Sequence, residues 1–333
     1  MYSINEIRHV HLELSSRCNA ACPLCPRNFY GYPYNDGYVE HNMTLSEAHH
    51  IFSVDFVKQL DEILINGNFG DAIMNPDTIP IIEYFRSCNP NLTILISTNA
   101  GARNKKFWQA LAYLKARVLF CIDGLEDTHH LYRQNTSYKT VIKNSQTFIK
   151  AGGHAVWKMI KFDHNQLQRD IANQLSKELG FANFQLVDHG RNQSPVYNKT
   201  QQLTHVIGNP VETEFRVLFQ KRKEDEVLLE DITNSRTPKK ISCQVQKKKS
   251  IYISSTGDVY PCCFLGFNPK TYGHGNYHSA ANAQFRDAVQ KNNALEYSLQ
   301  QCVDWFLYIE KSWSIPTFEQ GRLVICNDIC GDN

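Results

Sequence analysis

Cys18, Cys22 and Cys25 stand in the run Ser15-Ser-Arg-Cys-Asn-Ala-Ala-Cys-Pro-Leu-Cys-Pro-Arg27, a Cys-x3-Cys-x2-Cys spacing. Three thiolates on one loop suit three irons of a cubane [4Fe–4S] cluster and leave the fourth iron without a protein ligand, open to a small molecule. The competing reading is zinc. Structural zinc takes four ligands, usually from paired Cys-x2-Cys units, and no fourth cysteine or histidine follows closely in sequence. The chain has 11 cysteines, clustered toward its two ends. In a reducing compartment that pattern points to metal ligation rather than a disulfide framework.

A loop of this kind needs a frame. Residues 9 to 14, His-Val-His-Leu-Glu-Leu, alternate polar and apolar and predict a strand directly ahead of the cysteines. Further strand-like runs fall at Ile63–Asn66, Leu92–Ser97, Val118–Ile122, Ala155–Phe162 and Phe184–Asp188. Helical signals lie between them. Thr44-Leu-Ser-Glu47 reads as a capping box opening a helix through about Ser53. A second helix begins near Ser137 and closes at Ala151-Gly152-Gly153, and a third carries Leu167, Ile171, Leu175 and Leu179 every four residues, ending at Gly180. Strand then helix, repeated, predicts an α/β fold built as a partial (β/α)6 TIM-like barrel, whose active site belongs at the C-terminal ends of the strands.

Past Asp188 the alternation stops. The reading divides the chain into a barrel over 1–190, a polar bridging segment over 191–240 with one helix from Val211 to about Leu229, and a cysteine-bearing domain over 241–333. With 333 residues and 42% hydrophobic content the chain is long enough to bury a large core. A formal charge of +2 gives too weak a field to argue for nucleic acid or a membrane surface, and Lys221-Arg222-Lys223 and Lys247-Lys248-Lys249 read as solvated surface. Met1 to Arg8 has no apolar run behind it, and no segment approaches the length of a membrane span, so a soluble, cytoplasmic protein is expected.

The three-cysteine spacing after a first barrel strand resembles the signature of the radical S-adenosylmethionine (SAM) superfamily. The resemblance implies that the open iron chelates SAM, that an electron from the cluster breaks the sulfur–C5′ bond, and that the 5′-deoxyadenosyl radical takes a hydrogen atom from a substrate. It extends beyond the cysteines. Leu24 falls where the family packs a residue by the adenine. Asn66-Gly-Asn-Phe-Gly70-Asp71-Ala72 resembles the family's Gly-Gly-Glu-Pro motif, which implies SAM contacts for Gly70 and Asp71 although Ala72 replaces the proline. Ser97-Thr98-Asn99-Ala-Gly101 resembles the Thr-Asn-Gly turn that approaches the ribose and methionine parts of SAM. Cys121-Ile-Asp123-Gly-Leu125, with Tyr132-Arg133 behind it, resembles the Ser-Ile-Asp-Gly…Tyr-Arg stretch of members with auxiliary clusters, with Cys121 in the serine's place. Cys121 is thus either a small buried residue or a participant in the chemistry. His164 in Phe162-Asp-His-Asn165 is a candidate proton carrier, with helix capping by Asp163 or Asn165 as the competing role. Arg191 is a candidate partner for a carboxylate. The aromatic loop from Asn28 to Asn42 is either a lid or packing against the barrel rim.

Cys243, thirteen residues, Gly257, four residues and Cys262-Cys263 resemble the opening of the SPASM and twitch domains that follow some radical SAM barrels, with Thr256-Gly257-Asp258 as a hairpin turn. That resemblance, with Cys326 and Cys330 near the end, implies an auxiliary [4Fe–4S] cluster on Cys243, Cys262, Cys326 and Cys330. The longer cysteine set of the two-cluster SPASM form is missing, so a single-cluster, twitch-like module of hairpin plus helix is expected. Cys263 in place of Cys262, Cys302 as an extra ligand, and a four-cysteine zinc site stay open.

The implied activity is that of a radical SAM oxidoreductase or maturase, its auxiliary cluster assisting oxidation or bond formation on a small molecule, a sugar or nucleotide, or a peptide. A flavodoxin- or ferredoxin-type protein is the expected reductant. Two alternatives stand beside it: an epimerase in which Cys121, Cys263 or Cys302 returns a hydrogen atom, and a non-catalytic iron–sulfur electron carrier. Many peptide-modifying relatives carry a leader-binding domain ahead of the barrel, whereas this sequence begins almost at its first strand, which favours a small molecule, a nucleotide or a sugar, or a peptide delivered by a separate partner.

Overall fold

The computed structural model describes residues 1–33, 39–188, 194–207, 236–267, 284–285, 289 and 291–332. The helix expected over Val211–Leu229, the Lys221–Lys223 run, Arg191 and part of the aromatic loop, including Tyr34 and Tyr38, lie outside them.

Each strand-like run of the sequence is a strand, shifted by one or two residues: β1 (His9–Leu12), β2 (Glu62–Ile65), β3 (Thr93–Thr98), β4 (Arg117–Cys121), β5 (His154–Ile160) and β6 (Asn183–Val187). They pair in that order, all parallel. The free edge of β1 is taken by β7 (Ser250–Ile253), also parallel, and β8 (Val259–Tyr260) pairs antiparallel beyond it. The partial barrel and the C-terminal hairpin therefore share one sheet, with His9 placed between Glu62 and Ser250. The hairpin turns at Gly257, whose φ of 85° suits glycine best.

The parity of the strands sorts their side chains. Val10, Leu12, Ile63, Ile65, Ile94, Ile96, Val118, Phe120, Trp157, Met159, Ile251 and Ile253 join one apolar core. That core packs the sheet against α1 (Leu45–Ile51), α2 (Val54–Gln59), α3 (Thr78–Cys88), α4 (Lys105–Tyr113) and, beyond the short α5 (His129–Tyr132), α6 (Tyr138–Lys150) and α7 (Arg169–Glu178). The opposite parity brings His11, Asn66, Ser97, Cys121, Lys158 and Tyr252 to the cavities described below. In the C-terminal part follow α8 (Gln244–Lys248), α9 (Leu299–Asp304), α10 (Phe306–Ser312) and α11 (Val324–Cys330).

Local rules set several ends. Thr44 and Glu47 form the capping box, but α1 stops at Ile51 because Ser53 caps a new helix, accepting from the Phe56 N–H at 3.2 Å. The third helix departs further from expectation. Residues Asp163–Gln168 form a 3-10 segment ahead of α7, and the change of pitch breaks the four-residue spacing. Leu167 is 90% exposed and Ile171 57% exposed, while Ala172 and Ser176 are buried and Leu175 and Leu179 pack partly buried on the core. Among the described residues no helix is long and apolar enough to cross a membrane.

Candidate functional site

A cavity of about 300 Å3 opens at the C-terminal ends of the barrel strands. Cys18, Cys22 and Cys25 line it, together with Gly70, Asp71, Ser97, Thr98, Asn99, Cys121 and Arg133. The cysteine loop is held by backbone bonds from Cys25 N to the Cys22 carbonyl (3.1 Å) and from Ala21 N to the Gln134 carbonyl (3.0 Å). Burial and the neighbouring Asp71 raise the Cys18 thiol, and burial pushes Cys22 up to about 11 against the pull of Arg133. Buried thiols of this kind become thiolates only where a cation repays the cost.

Asp71 is 5% exposed and turns its carboxylate toward the Thr98-Asn99 turn. One oxygen accepts from Thr98 Oγ1 (3.0 Å), Asn99 N (2.7 Å) and Asn99 Nδ2 (2.8 Å), and the other from Ile73 N (3.1 Å). Burial still pushes this carboxyl above its usual range. Asn99 Nδ2 also reaches Asn19 Oδ1 (3.1 Å) and Cys18 Sγ (3.5 Å), so one amide joins both motifs to the cysteine loop. Gly70 fits tightly: a Cβ there would lie 1.9 Å from the Ser15 carbonyl oxygen.

On the opposite arm, fully buried Asp123 accepts from Arg133 Nε at 2.6 Å and from Ile160 N at 2.6 Å. Arg133 Nη1 in turn donates to Cys22 Sγ at 3.6 Å. Cys121 Sγ lies 3.4 Å from Ser97 Oγ. Leu24 packs with Ala20, Cys22, Tyr132 and Phe162 in a small cluster behind the loop.

A second cavity, about 230 Å3 and mostly apolar, is lined by Cys243, Cys262, Cys263, Cys326 and Cys330. A bridge between Ile241 and Gly331, with Ser242 N bonded to the Cys330 carbonyl at 2.7 Å, brings the first and last of them together. The two thiols share a hydrogen bond that raises Cys243 and lowers Cys330. Cys262 is raised by burial and by the neighbouring Cys263. Among the described residues no group of three or more His, Cys, Asp and Glu side chains is arranged to hold a single metal ion.

The two cavities are joined by residues that the motifs do not single out. Glu13, 1% exposed, accepts from Phe69 N (2.8 Å) and Gly70 N (2.9 Å) with one oxygen and from Tyr252 Oη (2.7 Å) with the other. Tyr252 lines the second cavity, and Asn68 Nδ2 donates to the Cys263 carbonyl at 2.8 Å. The available signal was an acid on the inner parity of an apolar strand, which must find donors when buried.

Residues 243–303 match the model of the SPASM family, described as an iron-sulfur cluster-binding domain. The chain superposes on the crystal structure of Streptococcus suis SuiB with a TM-score of 0.56 and 16% identity, covering 90% of this chain and 65% of SuiB. It superposes on anSMEcpe with bound AdoMet at a TM-score of 0.56 and 16% identity, covering 98% of this chain and 92% of that one. The chain shares the fold of SuiB and of anSMEcpe and carries a SPASM match at residues 243–303. Among curated proteins, the uncharacterized protein MJ0907 of Methanocaldococcus jannaschii is 22% identical over 263 residues, 78% of this chain and 86% of that one. SuiB has structures bound to S-adenosylmethionine and to the precursor peptide SuiA, and anSMEcpe one with AdoMet and the Cp18Cys peptide.

The same fold also shows where the remaining expected residues lie. His164 stands off the first cavity, its ring stacked on Phe162 with centroids 5.1 Å apart and its Nε2 3.3 Å from the Asp123 carbonyl oxygen. Burial lowers its pKa. Asn165 ties the turn by donating to the Asp123 and Ile160 carbonyls at 3.0 and 2.8 Å and accepting from Phe162 N at 3.1 Å. Within the SPASM domain Cys302 is fully buried in the main core rather than on the cysteine cavity, whereas Cys263 lines that cavity beside Cys262.

Proposed function

We propose that this chain is a radical SAM oxidoreductase or maturase that splits SAM reductively at the first cavity and holds an auxiliary [4Fe–4S] cluster at the second. The observation that carries the reading is the meeting of Cys18, Cys22 and Cys25 with Gly70, Asp71, Thr98, Asn99 and Cys121 around one cavity. Cys18, Cys22 and Cys25 fit the first cluster as a set of three thiols on one loop. Cys243, Cys262, Cys326 and Cys330, gathered on a cavity poor in other polar groups, fit the second.

Cys18, Cys22 and Cys25 would hold the first cluster, which would supply the electron for reductive cleavage of SAM and so give access to hydrogen-atom abstraction from a substrate. The chain's own residues bind, orient and shield. Gly70 lets the loop after β2 lie against Ser15, and Asp71 locks the Thr98-Asn99 turn beside Cys18. Arg133, paired through Nε with Asp123, donates from Nη1 to Cys22. Tyr132, Phe162 and Leu24 form an apolar wall that excludes water from the loop. The substrate classes are a peptide, as in the complexes of the similar structures, a sugar or nucleotide, or another small molecule. A flavodoxin- or ferredoxin-type reductant and a cytoplasmic setting complete the proposal. Cys121, on the cavity wall beside Ser97, supports a second outcome in which it returns a hydrogen atom and the reaction is an epimerisation.

Anaerobically reconstituted, dithionite-reduced protein is expected to form 5′-deoxyadenosine from SAM, and Cys22→Ala to form none, as read by mass spectrometry. A cluster-loaded protein that leaves SAM intact would overturn the reading.

A further inference from the structure

Four aromatic rings line the second cavity: His11, Tyr252, Phe264 and Trp313. The polar atoms of two are committed elsewhere, His11 Nε2 to the Asn66 carbonyl at 2.6 Å and Tyr252 Oη to Glu13 at 2.7 Å. Phe264 has none. Trp313 differs: its Nε1 is buried and has no hydrogen-bond partner. A buried N–H left without an acceptor is costly, so a native fold keeps one where something absent from the bare chain can receive it.

Its surroundings name the acceptor. Trp313 caps the C-terminal end of α10, and Arg322 grips this corner by donating to the Trp313, Ile315 and Lys239 carbonyls, which fixes the ring's placement. Trp313 and Cys326 line the same cavity and pack on the same apolar cluster, with the indole within reach of the Cys326 sulfur. A neutral thiol is a poor acceptor, whereas a thiolate bound to iron is a good one.

We propose that the Trp313 indole donates an N–H···S hydrogen bond to the Cys326 thiolate of the auxiliary cluster and thereby raises that cluster's reduction potential. The inference rests on the reading of the second cavity given above. Reduction adds negative charge to a cluster, and a hydrogen bond to its sulfur stabilises the reduced form more than the oxidised one. Trp313 is a positioning residue in this scheme. It sets how readily the cluster accepts an electron from substrate and carries no electron or proton itself.

The test uses the full chain carrying C18A, C22A and C25A, so that only the second cluster titrates. Its midpoint potential is followed by EPR-monitored redox titration with Trp313 intact, with Trp313→Phe and with Trp313→His. Phenylalanine keeps an apolar ring and removes the donor, and the potential is expected to fall by about 59 mV, a tenfold change in a one-electron equilibrium. Histidine restores a ring N–H and is expected to recover part of the shift. Equal potentials in all three proteins, or equal falls in Trp313→Phe and Trp313→His, would overturn the inference while leaving the cluster in place. A parent triple variant that binds no iron would instead sink the cluster reading on which it rests.

Discussion

The Glu13 carboxylate, at the end of the first barrel strand, accepts a 2.7 Å hydrogen bond from Tyr252 Oη of the C-terminal hairpin while its other oxygen holds the Phe69 and Gly70 N–H groups. One buried acid thus fixes the loop of the first cavity to the wall of the second. Removing the tyrosine hydroxyl by Tyr252→Phe is expected to cost about 1–3 kcal/mol, the usual scale for leaving a buried acceptor without its donor, in urea unfolding of the apo-protein. It should also raise KM for SAM, because the loop loses its outer anchor. An unchanged KM would confine Tyr252 to stability.

Gly70→Ala should be more severe than its single methyl suggests. The Cβ would fall 1.9 Å from the backbone oxygen of Ser15, which cannot move without disturbing the end of β1. A loss of about 3 kcal/mol is expected from such overpacking, with SAM binding lost in equilibrium dialysis. Full binding by the variant would show that the loop is free to shift.

Arg133→Met leaves Asp123 buried with one partner fewer. Breaking a buried pair by removing one member typically costs about 3–5 kcal/mol, and chemical unfolding should read a loss on that scale. Arg133→Met combined with Asp123→Leu should recover part of it, since neither charge is then stranded. A double variant no more stable than the single one would refute the pairing.

His129 has a pKa lowered from 6.5 to about 4 by burial and by the nearby Arg133, and burial lowers His11 similarly. A histidine held neutral in the fold stabilises above its unfolded pKa and loses that contribution as the pH falls through its folded value. The free energy of unfolding should therefore decline between pH 6.5 and about 4, by up to about 1.4 kcal/mol per pH unit for each histidine. Asp71 and Glu13, both raised by burial, work in the opposite direction, so the comparison of wild type with His129→Gln isolates the term. Parallel pH profiles would contradict the assignment.

Iron content separates the two cysteine sets. Reconstituted protein should hold about eight irons if both clusters are [4Fe–4S], and Cys22→Ala or Cys326→Ala should each leave about four. Cys302→Ser should keep them all, because Cys302 lies in the main core. Iron lost only in Cys302→Ser would reassign the ligands.

The strands and the first cysteine loop were legible in the chain because each is encoded locally. An alternating run such as His9–Leu12 declares which face it buries, and a Cys-x3-Cys-x2-Cys loop carries its spacing wherever it is folded. The stripe of Leu167 and Ile171 misled for the same local reason, since a 3-10 turn upstream of α7 changed the phase. The relationships that join the sites span the chain and left no local mark. Glu13 meets Tyr252 across 239 residues, Asn68 meets Cys263 across 195, and Cys243 meets Cys330 only because a two-residue bridge closes the C-terminal part. Sequence periodicity fixes which way a side chain points from its own strand. Which strand lies beside it, and which donor a buried acid therefore finds, depends on sheet order, and here β7 lies parallel beside β1 and carries Tyr252 to Glu13.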